Sequence, residues 1–309
     1  MITVLGSLNV DLVSGVARFP RPGETLMGTR FHQVCGGKGA NQAAALARLG
    51  NAVSLLGCVG DDPFGGWILE RLHCLGVDTT GVLRRQSTPT GNALILIDAS
   101  GQNQIVVNAG ANGTLLAQDL TAGPLAGRIR QSEALVAQLE VPLPAVVEAF
   151  QAARAAGVPT FLNPAPFQPL PEDLLAACDW LVPNEAEASA LVGFHVGDPD
   201  SAVAASRQLR KRFPKLQVLI TLGSRGAWLD ADDAVGAHPG FRVTAVDTVG
   251  AGDAALGAFV AGRVRGCTSN DSLRFAMAAA ALSVTRPGAM DSFPTRSEVE
   301  AFVKASTGA

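Results

Sequence analysis

Short apolar runs recur along the chain and are separated by polar or glycine-rich segments. Runs of this kind are predicted to form strands at 1–5, 53–59, 134–139, 158–162, 180–182 and 218–221, and helices are predicted between them, for example at 44–49 and 146–156. Strands that alternate with helices, and that are apolar on both faces, are typical of a parallel sheet covered by helices on both sides. The pattern therefore predicts an α/β fold with a mostly parallel central sheet, built as a single domain over residues 1–309.

Two segments, 12–34 and 92–108, interrupt this alternation because they have strand character without a helical period. In the second segment, Ser100 and Gly101 separate two β-prone runs, which is the signature of a hairpin. We expect the two segments to form one small β-sheet that projects from the domain as a lid. Its apolar faces would be exposed in a monomer, so the pattern also favours a homodimer that forms through the lid.

Polar residues repeatedly occupy the positions where predicted strands end. They are Asn9, Asp11, Glu140, Asn163, Asn184, Thr221 and Asp247. Ligands of open α/β sheets bind where parallel strands end, so these side chains predict a binding site along one edge of the sheet. For Asn9 and Asp11 taken alone, ordinary turn chemistry is the alternative explanation.

The segment Asp247–Asp253 places small residues in front of an aspartate and a helix-forming run. A glycine-rich turn that opens a helix leaves backbone N–H groups unpaired at the positive end of the helix dipole, where they can bind an anion. A carboxylate cannot serve as a ligand for that anion, so Asp253 is predicted to act as a base toward an attacking hydroxyl. For this segment alone, an ordinary strand-to-helix turn supported by Asp253 is the alternative.

A second glycine-rich segment, Gly36–Ala43, lies between the two strand-rich inserts. It is not a P-loop, because that motif needs a glycine five residues before the Gly-Lys pair and a serine or threonine after the lysine. Here Gly39 follows Lys38. We therefore interpret Lys38 and Asn41 as polar groups presented at the start of a helix.

Composition narrows the class of protein. Hydrophobic residues make up 48% and charged residues 17% of the chain, which indicates a globular protein. The net charge of −3, without a basic block, argues against nucleic acid as a partner.

The cysteines are scattered without a Cys-x-x-Cys pair, which fits a reducing compartment. Because no uncharged apolar run reaches about 18 residues and no signal sequence is evident, we expect a soluble, cytoplasmic protein without a membrane partner.

Taken together, the motifs resemble the ribokinase branch of the PfkB-type sugar kinase family over nearly the whole chain. The two family signatures are Gly-Gly-Lys-Gly-Ala-Asn-Gln-Ala at 36–43 and Asp-Thr-x-Gly-Ala-Gly-Asp at 247–253. The segments 90–91, 109–112, 163–166 and 283–286 are also similar to the ribokinase branch. The resemblance implies an enzyme that uses ATP to phosphorylate the primary 5-hydroxyl of D-ribose, giving ribose 5-phosphate.

The resemblance also implies roles for particular residues. The sugar would be bound by Asn9, Asp11, Gly37, Lys38, Asn41, Glu140 and Asp253. Asp253 would take the proton from the attacking hydroxyl, and the backbone N–H groups of Ala251, Gly252 and Asp253 would stabilise the transferring phosphoryl group. The nucleotide would contact Asn184, Thr221, Leu222, Gly223, Ser224, Arg225, Gly226 and Gly252.

Two cations are implied by the same resemblance. Asn184 and Glu187 match an Asn-x-x-Glu motif that orders Mg²⁺, largely through water. An activating K⁺ would be held, mostly by carbonyl oxygens, at Asp247, Val249, Ser283, Arg286, Gly288 and Ser292. The sequence departs from the family after Asp253, where Ala254-Ala255-Leu256 replaces a segment that usually carries an aromatic residue. This departure concerns the packing of the helix more than the reacting atoms.

The sequence leaves other functions open. Within the same chemistry, the alternative is a kinase for deoxyribose, fructose or a nucleoside. A non-catalytic sugar sensor on the same fold is a different class, although a sensor has no need of the base Asp253 or of Asn184 and Glu187. A dinucleotide-dependent oxidoreductase is disfavoured, because Gly-x-Gly-x-x-Gly does not follow the first strand.

Overall fold

The computed structural model describes residues 1–306, in which strands and helices alternate through most of the chain. The strands are β1 (Ile2–Leu5), β2 (Asn9–Gly15), β3 (Arg30–Gly36), β4 (Val53–Gly60), β5 (Val77–Arg85), β6 (Gly91–Ile97), β7 (Asn103–Asn108), β8 (Ala134–Ala137), β9 (Thr160–Leu162), β10 (Trp180–Leu181), β11 (Gln217–Thr221), β12 (Ala227–Ala231) and β13 (Ala234–His238). The helices are α1 (Lys38–Arg48), α2 (Pro63–Cys74), α3 (Ala117–Thr121), α4 (Gly123–Arg130), α5 (Leu143–Ala155), α6 (Glu172–Ala176), α7 (Glu185–Val192), α8 (Pro199–Arg212), α9 (Ala251–Val264), α10 (Ser269–Ser283) and α11 (Arg296–Ala305).

Nine of these strands form one large sheet, in the order β13-β12-β11-β10-β9-β8-β1-β4-β5. The pairs from β5 to β11 are parallel, whereas β11–β12 and β12–β13 are antiparallel. The predicted α/β fold with a mostly parallel sheet is therefore confirmed. The two antiparallel strands at one edge were not predicted from the sequence.

Helices cover both faces of the large sheet and enclose two hydrophobic cores. On one face α1, α9 and α10 pack around Leu46 and Phe259, and on the other α5 and α8 pack around Phe150 and Leu209. Neighbouring residues of an inner strand enter opposite cores, so such strands appear in the sequence as continuous apolar runs. Within residues 1–306, no helix combines the length and the apolar character that crossing a membrane requires.

The remaining four strands form a separate small sheet in the order β3-β2-β6-β7. Its central pair, β2 and β6, is parallel, and the two outer pairs are antiparallel. The strand β2 begins at Asn9, only four residues after β1 ends, so it continues directly from the large sheet. Residues 16–29, within the segment expected to have strand character, contain no strand. Pro20 and Pro22 lack the N–H group that strand pairing needs, which accounts for part of this gap.

The helix α1 begins at Lys38, so Lys38 and Asn41 lie at its start as the sequence suggested, although the helical run itself was predicted only from residue 44. A Cβ atom added to Gly39 would lie 2.5 Å from the carbonyl carbon of Gly6 and from the backbone nitrogen of Ser7. Gly39 is therefore a packing residue within a helix, which the sequence pattern alone cannot distinguish from a loop glycine. Gly37, with a φ of 90°, forms the turn just before the helix.

Candidate active site

A cavity of about 210 Å³ lies at the edge of the large sheet where its parallel strands end. It is lined by Lys38, Asn163, Val182, Asn184, Glu187, Thr221, Thr248, Gly250, Ala251, Gly252, Asp253 and Leu256. These residues come from the start of α1, from the segments after β9 and β10, from the first turn of α7, from the end of β11, and from α9 with the loop before it. The structure thus brings together polar groups from segments that are far apart in the sequence.

The first turn of α9 forms one wall of this cavity. The residue before the helix is Gly250, whose φ of 78° lies in the left-handed region, and a Cβ there would be 3.0 Å from the Cβ of Ala289. Both observations favour glycine at this position. The turn directs the N-terminal backbone of α9 into the cavity, at the positive end of the helix dipole. The Ala251 N–H, one of the three predicted donors, lies 3.3 Å from the Thr248 carbonyl oxygen, which is a long hydrogen bond.

Asp253 lies in this first turn and is buried, with 7% of its surface exposed. Its Oδ2 accepts a hydrogen bond from Asn41 Nδ2 at 3.0 Å, and its Oδ1 accepts one from Gln42 Nε2 at 2.9 Å. Burial raises the pKa of Asp253, while the charge of Lys38 and the two amide donors oppose this shift. The result is an oriented carboxylate that keeps free lone pairs, which is the geometry that a general base needs.

The residues expected to bind a sugar lie around the junction of the two sheets. Asn9 Oδ1 accepts a hydrogen bond from Asn112 Nδ2 at 2.8 Å, and Glu140 Oε2 accepts one from the Lys38 backbone N–H at 3.0 Å. Burial and the nearby charge of Glu140 raise the pKa of Asp11 to about 6. The negative charge of Glu140 thus adds to burial in disfavouring the ionised form of Asp11.

Asn184 and Glu187 are joined by the capping box that starts α7. The Asn184 side chain accepts a hydrogen bond from the Glu187 N–H, and Glu187 accepts bonds from the Asn184 N–H and Nδ2, each at 2.9 Å. Asn163 Nδ2 also donates to Glu187, at 3.3 Å. Burial raises the pKa of Glu187. Within residues 1–306 no group of three or more histidine, cysteine, aspartate or glutamate side chains could hold a metal directly. The Glu187 carboxylate and the Asn184 amide oxygen are ligand types that Mg²⁺ accepts, directly or through water.

The loop expected to contact a nucleotide follows β11. Thr221 lies in the cavity beside Asn184, and the two residues form an isolated parallel β-bridge. Leu222 to Gly226 lie outside the cavity lining, in a short 3₁₀ turn whose Arg225 forms an ion pair with Glu185. A Cβ at Gly226 would lie 1.9 Å from the His238 carbonyl oxygen, so this turn packs tightly against the backbone after β13.

The segments expected to hold K⁺ meet behind the first turn of α9. Asp247 Oδ1 accepts from the Val249 N–H at 3.0 Å, and its Oδ2 accepts from the Gly288 N–H at 2.9 Å. The hydroxyls of Ser283 and Ser292 donate to carbonyl oxygens three residues earlier in the chain, at 2.8 and 2.7 Å. Arg286 pairs with Glu298 at 2.6 Å. The structure thus brings Asp247, Val249 and Gly288 together, whereas the side chain of Arg286 points to another partner.

Some residues of the site received no role from the sequence. Gln42 donates to Asp253, Asn112 contacts Asn9, and Asn163 lies between Gln42 and Glu187. Gln42 is part of the first signature motif and Asn163 is one of the polar strand ends, so a signal was present for both. Asn112 lies in the segment 109–112, which resembles the ribokinase branch, but its contact with Asn9 depends on the folded chain.

Comparison with known proteins gives a consistent result. Residues 1–296 match the pfkB family of carbohydrate kinases. The chain is 41% identical to the ribokinase of Haemophilus influenzae, with 98% of each chain covered, and 38% identical to the deoxyribokinase of Salmonella typhi, with 95% of each covered. Its fold is similar to that of Arabidopsis thaliana ribokinase complexed with ribose and ATP, with a TM-score of 0.93, 33% identity and 98% of each chain covered.

Proposed function

The chain belongs to the pfkB family of carbohydrate kinases, and we propose that this ATP-dependent sugar kinase phosphorylates the 5-hydroxyl of D-ribose. The observation that carries the proposal is the position of Asp253, which is buried in the first turn of α9 and accepts a hydrogen bond from Asn41, one of the residues proposed to hold the sugar. Similarity to several ribokinases and to a structure complexed with ribose and ATP supports ribose as the sugar.

In the proposed reaction, Asn9, Asp11, Lys38, Asn41 and Glu140, together with the backbone at Gly37, hold the hydroxyl groups of the sugar. The Asp253 carboxylate removes the proton of the 5-hydroxyl as that oxygen attacks the γ-phosphorus of ATP. The bond from this phosphorus to the bridging oxygen breaks, and ADP leaves with the bonding electrons. Backbone N–H groups of residues 251–253 stabilise the charge on the transferring phosphoryl group, so that positioning and electrostatics carry most of the catalysis.

Two cations complete the proposal. Mg²⁺ would neutralise charge on the phosphates, and Asn184 and Glu187 would order it through water. K⁺ would be held by the loops around Asp247 and Gly288, next to the first turn of α9 but away from the phosphates. The nucleotide would extend from Gly252 along the loop 221–226. We infer that K⁺ fixes the conformation of the turn at Gly250 rather than taking part in the transfer.

One experiment tests the sugar and the role of K⁺ together. ADP release is measured for ribose, deoxyribose, fructose and a nucleoside, each in potassium and in sodium buffers of equal ionic strength. We expect the highest kcat/KM with ribose, and faster turnover in potassium for every sugar that reacts. A large preference for another acceptor would contradict the assignment of ribose, and equal rates in the two salts would contradict the K⁺ site.

We also propose that the enzyme is a homodimer that associates through the small sheet. Phe31, Leu94 and Val106 are 67%, 46% and 59% exposed, and paired positions in adjacent strands place Leu94 and Val106 on the same face. A connected apolar face of this kind is typical of an interaction surface.

The Val106→Lys variant should sediment as a monomer under conditions in which the wild type is a dimer. The control is Val235→Lys on β13, which changes a valine of similar exposure (65%) outside the small sheet. A dimeric Val106→Lys variant would contradict this interface.

A further inference from the structure

Two glutamines of the core form a line of amide groups that ends at Asp253. Gln42 on α1 and Gln138, just after β8, are both fully buried. Gln42 donates from Nε2 to Asp253 Oδ1 at 2.9 Å, and its Oε1 accepts a hydrogen bond from Gln138 Nε2. Asp253 therefore contacts Gln42 directly and Gln138 through it.

The contact with Gln138 determines which end of the Gln42 amide faces Asp253. A primary amide has an acceptor end and a donor end, and only the donor end can stabilise a carboxylate. Because Gln138 offers an N–H to the Gln42 oxygen, the Gln42 nitrogen turns toward Asp253. The same nitrogen lies 3.5 Å from Asn163 Oδ1, at the outer limit of a hydrogen bond, so both of its neighbours on that side are acceptors.

Gln138 holds this position although part of its amide is unsatisfied. Its Oε1 is buried and has no hydrogen-bond partner within the part of the chain that the structure describes. A buried acceptor without a partner is destabilising, and an apolar side chain of similar shape would avoid that cost. The site also keeps room for this amide, since a Cβ added to Gly6 would lie 2.1 Å from Gln138 Oε1. Packing and hydrogen bonding within the core therefore do not by themselves explain why a glutamine occupies this position.

We propose that Gln42 is a positioning residue for Asp253, and that Gln138 acts one step further away by holding Gln42 in its donor orientation. The inference deepens the proposed function, because it assigns a role in the same phosphoryl transfer. Asn41 and Gln42 bind one oxygen each, so the plane of the carboxylate is fixed relative to the 5-hydroxyl. The charged groups that surround the same carboxylate are Lys38, which favours its ionised form, and Glu140 and Glu187, which oppose it.

The test uses Gln42→Met and Gln138→Met in the full-length enzyme, which keep the approximate side-chain shape and remove the amide. For Gln42→Met we expect kcat to fall by about 10- to 100-fold, because a small misplacement of a reacting group costs rate of this order. KM for the sugar should change little, since Gln42 is not one of the residues proposed to bind it. The acid limb of the kcat–pH profile should move to higher pH, because a donor to the ionised carboxylate is lost. Gln138→Met should shift both quantities in the same direction by a smaller amount.

The control is Thr160→Val. Thr160 is also fully buried, and its hydroxyl donates to the Ala177 carbonyl oxygen at 2.9 Å, but it lies at the start of β9, the opposite end of the sheet. This variant should lose stability while keeping the wild-type kcat and pH profile. If Gln42→Met does not fold, Gln138→Met carries the test. It leaves the contacts of Asp253 in place and removes only the group that orients Gln42. Glutamine variants that behave like Thr160→Val, or that keep the wild-type acid limb, would overturn the inference.

A second readout separates this inference from the proposed function. The titration of Asp253 is followed without substrate by NMR of protein carrying ¹³C-labelled aspartate, with the Asp253→Asn variant used for assignment. A higher titration midpoint in Gln42→Met supports the positioning role even if no sugar in the panel is phosphorylated. An unchanged midpoint in an enzyme that does phosphorylate ribose overturns the positioning role and leaves the proposed function intact.

Discussion

An Asp253→Asn variant is expected to lose nearly all turnover, with kcat lower by about 10²- to 10⁴-fold, the range over which a positioned base contributes. Asparagine has almost the same shape and can still contact Asn41, but it cannot accept the proton of the attacking hydroxyl. Sugar binding should therefore remain measurable by calorimetry. The measurement is steady-state ADP release at saturating sugar and ATP.

The matched control for this variant is Asp200→Asn, which changes an exposed aspartate near the start of α8, far from the cavity. It should keep the wild-type kcat. Near-normal turnover of Asp253→Asn would show that another group takes the proton. Loss of sugar binding together with turnover would instead place Asp253 mainly among the sugar ligands. If the wild type bound sugar without any turnover, the alternative of a sugar sensor would be favoured.

An Asp11→Asn variant is expected to bind the sugar more weakly and yet to be more stable near neutral pH. Burial and the charge of Glu140 raise the pKa of Asp11 from 3.8 to about 6 in the folded protein. Between these two values the folded state binds more protons than the unfolded state, so stability falls as pH rises, and the full penalty is present above pH 6. Because Asp11 is partly accessible, we expect about 1–3 kcal/mol of added stability at pH 8.

Urea unfolding of the wild type and Asp11→Asn at pH 4, 6 and 8 measures this effect. The gain in the free energy of unfolding should be small at pH 4 and should grow up to pH 8. The control is Asp98→Asn, because hydrogen bonds from Ser100 and from the backbone lower the pKa of Asp98. That variant should lose stability at neutral pH. A gain for Asp11→Asn that does not depend on pH would contradict the electrostatic explanation.

The sequence predicted most reliably those strands whose residues are all buried. The inner strands, such as β4 and β9, lie between two cores, so their residues are apolar without interruption and the strands could be located directly. The polar residues that end these strands could also be found, because parallel strands bring their carboxyl ends to one edge. Asn184, which follows β10, and Thr221, which ends β11, are therefore neighbours although they are far apart in the sequence.

The sequence was least informative where a contact joins distant segments. Gln138 and Gln42 are 96 residues apart, and no local sequence pattern predicts the hydrogen bond between their side-chain amides. The helical run of α1 was predicted only from residue 44 because glycines such as Gly39 are typical of loops. In the structure, the missing side chain of Gly39 allows the helix to pack against Gly6. The antiparallel strands β12 and β13 were missed for a related reason, since β13 is half exposed and lacks a continuous apolar run.

The strand β2 belongs to the small sheet and yet begins with Asn9 and Asp11, whereas Lys38 and Asn41 lie on α1, which is packed on the large sheet. A sugar that contacts both pairs would connect a strand of the small sheet with a helix that covers the large sheet. If sugar binding changes the position of the small sheet, and if the dimer proposed above forms through that sheet, sugar binding is thermodynamically coupled to association of the protomers. By reciprocity, the apparent sugar affinity would rise with enzyme concentration, and sugar would strengthen the dimer by the same factor.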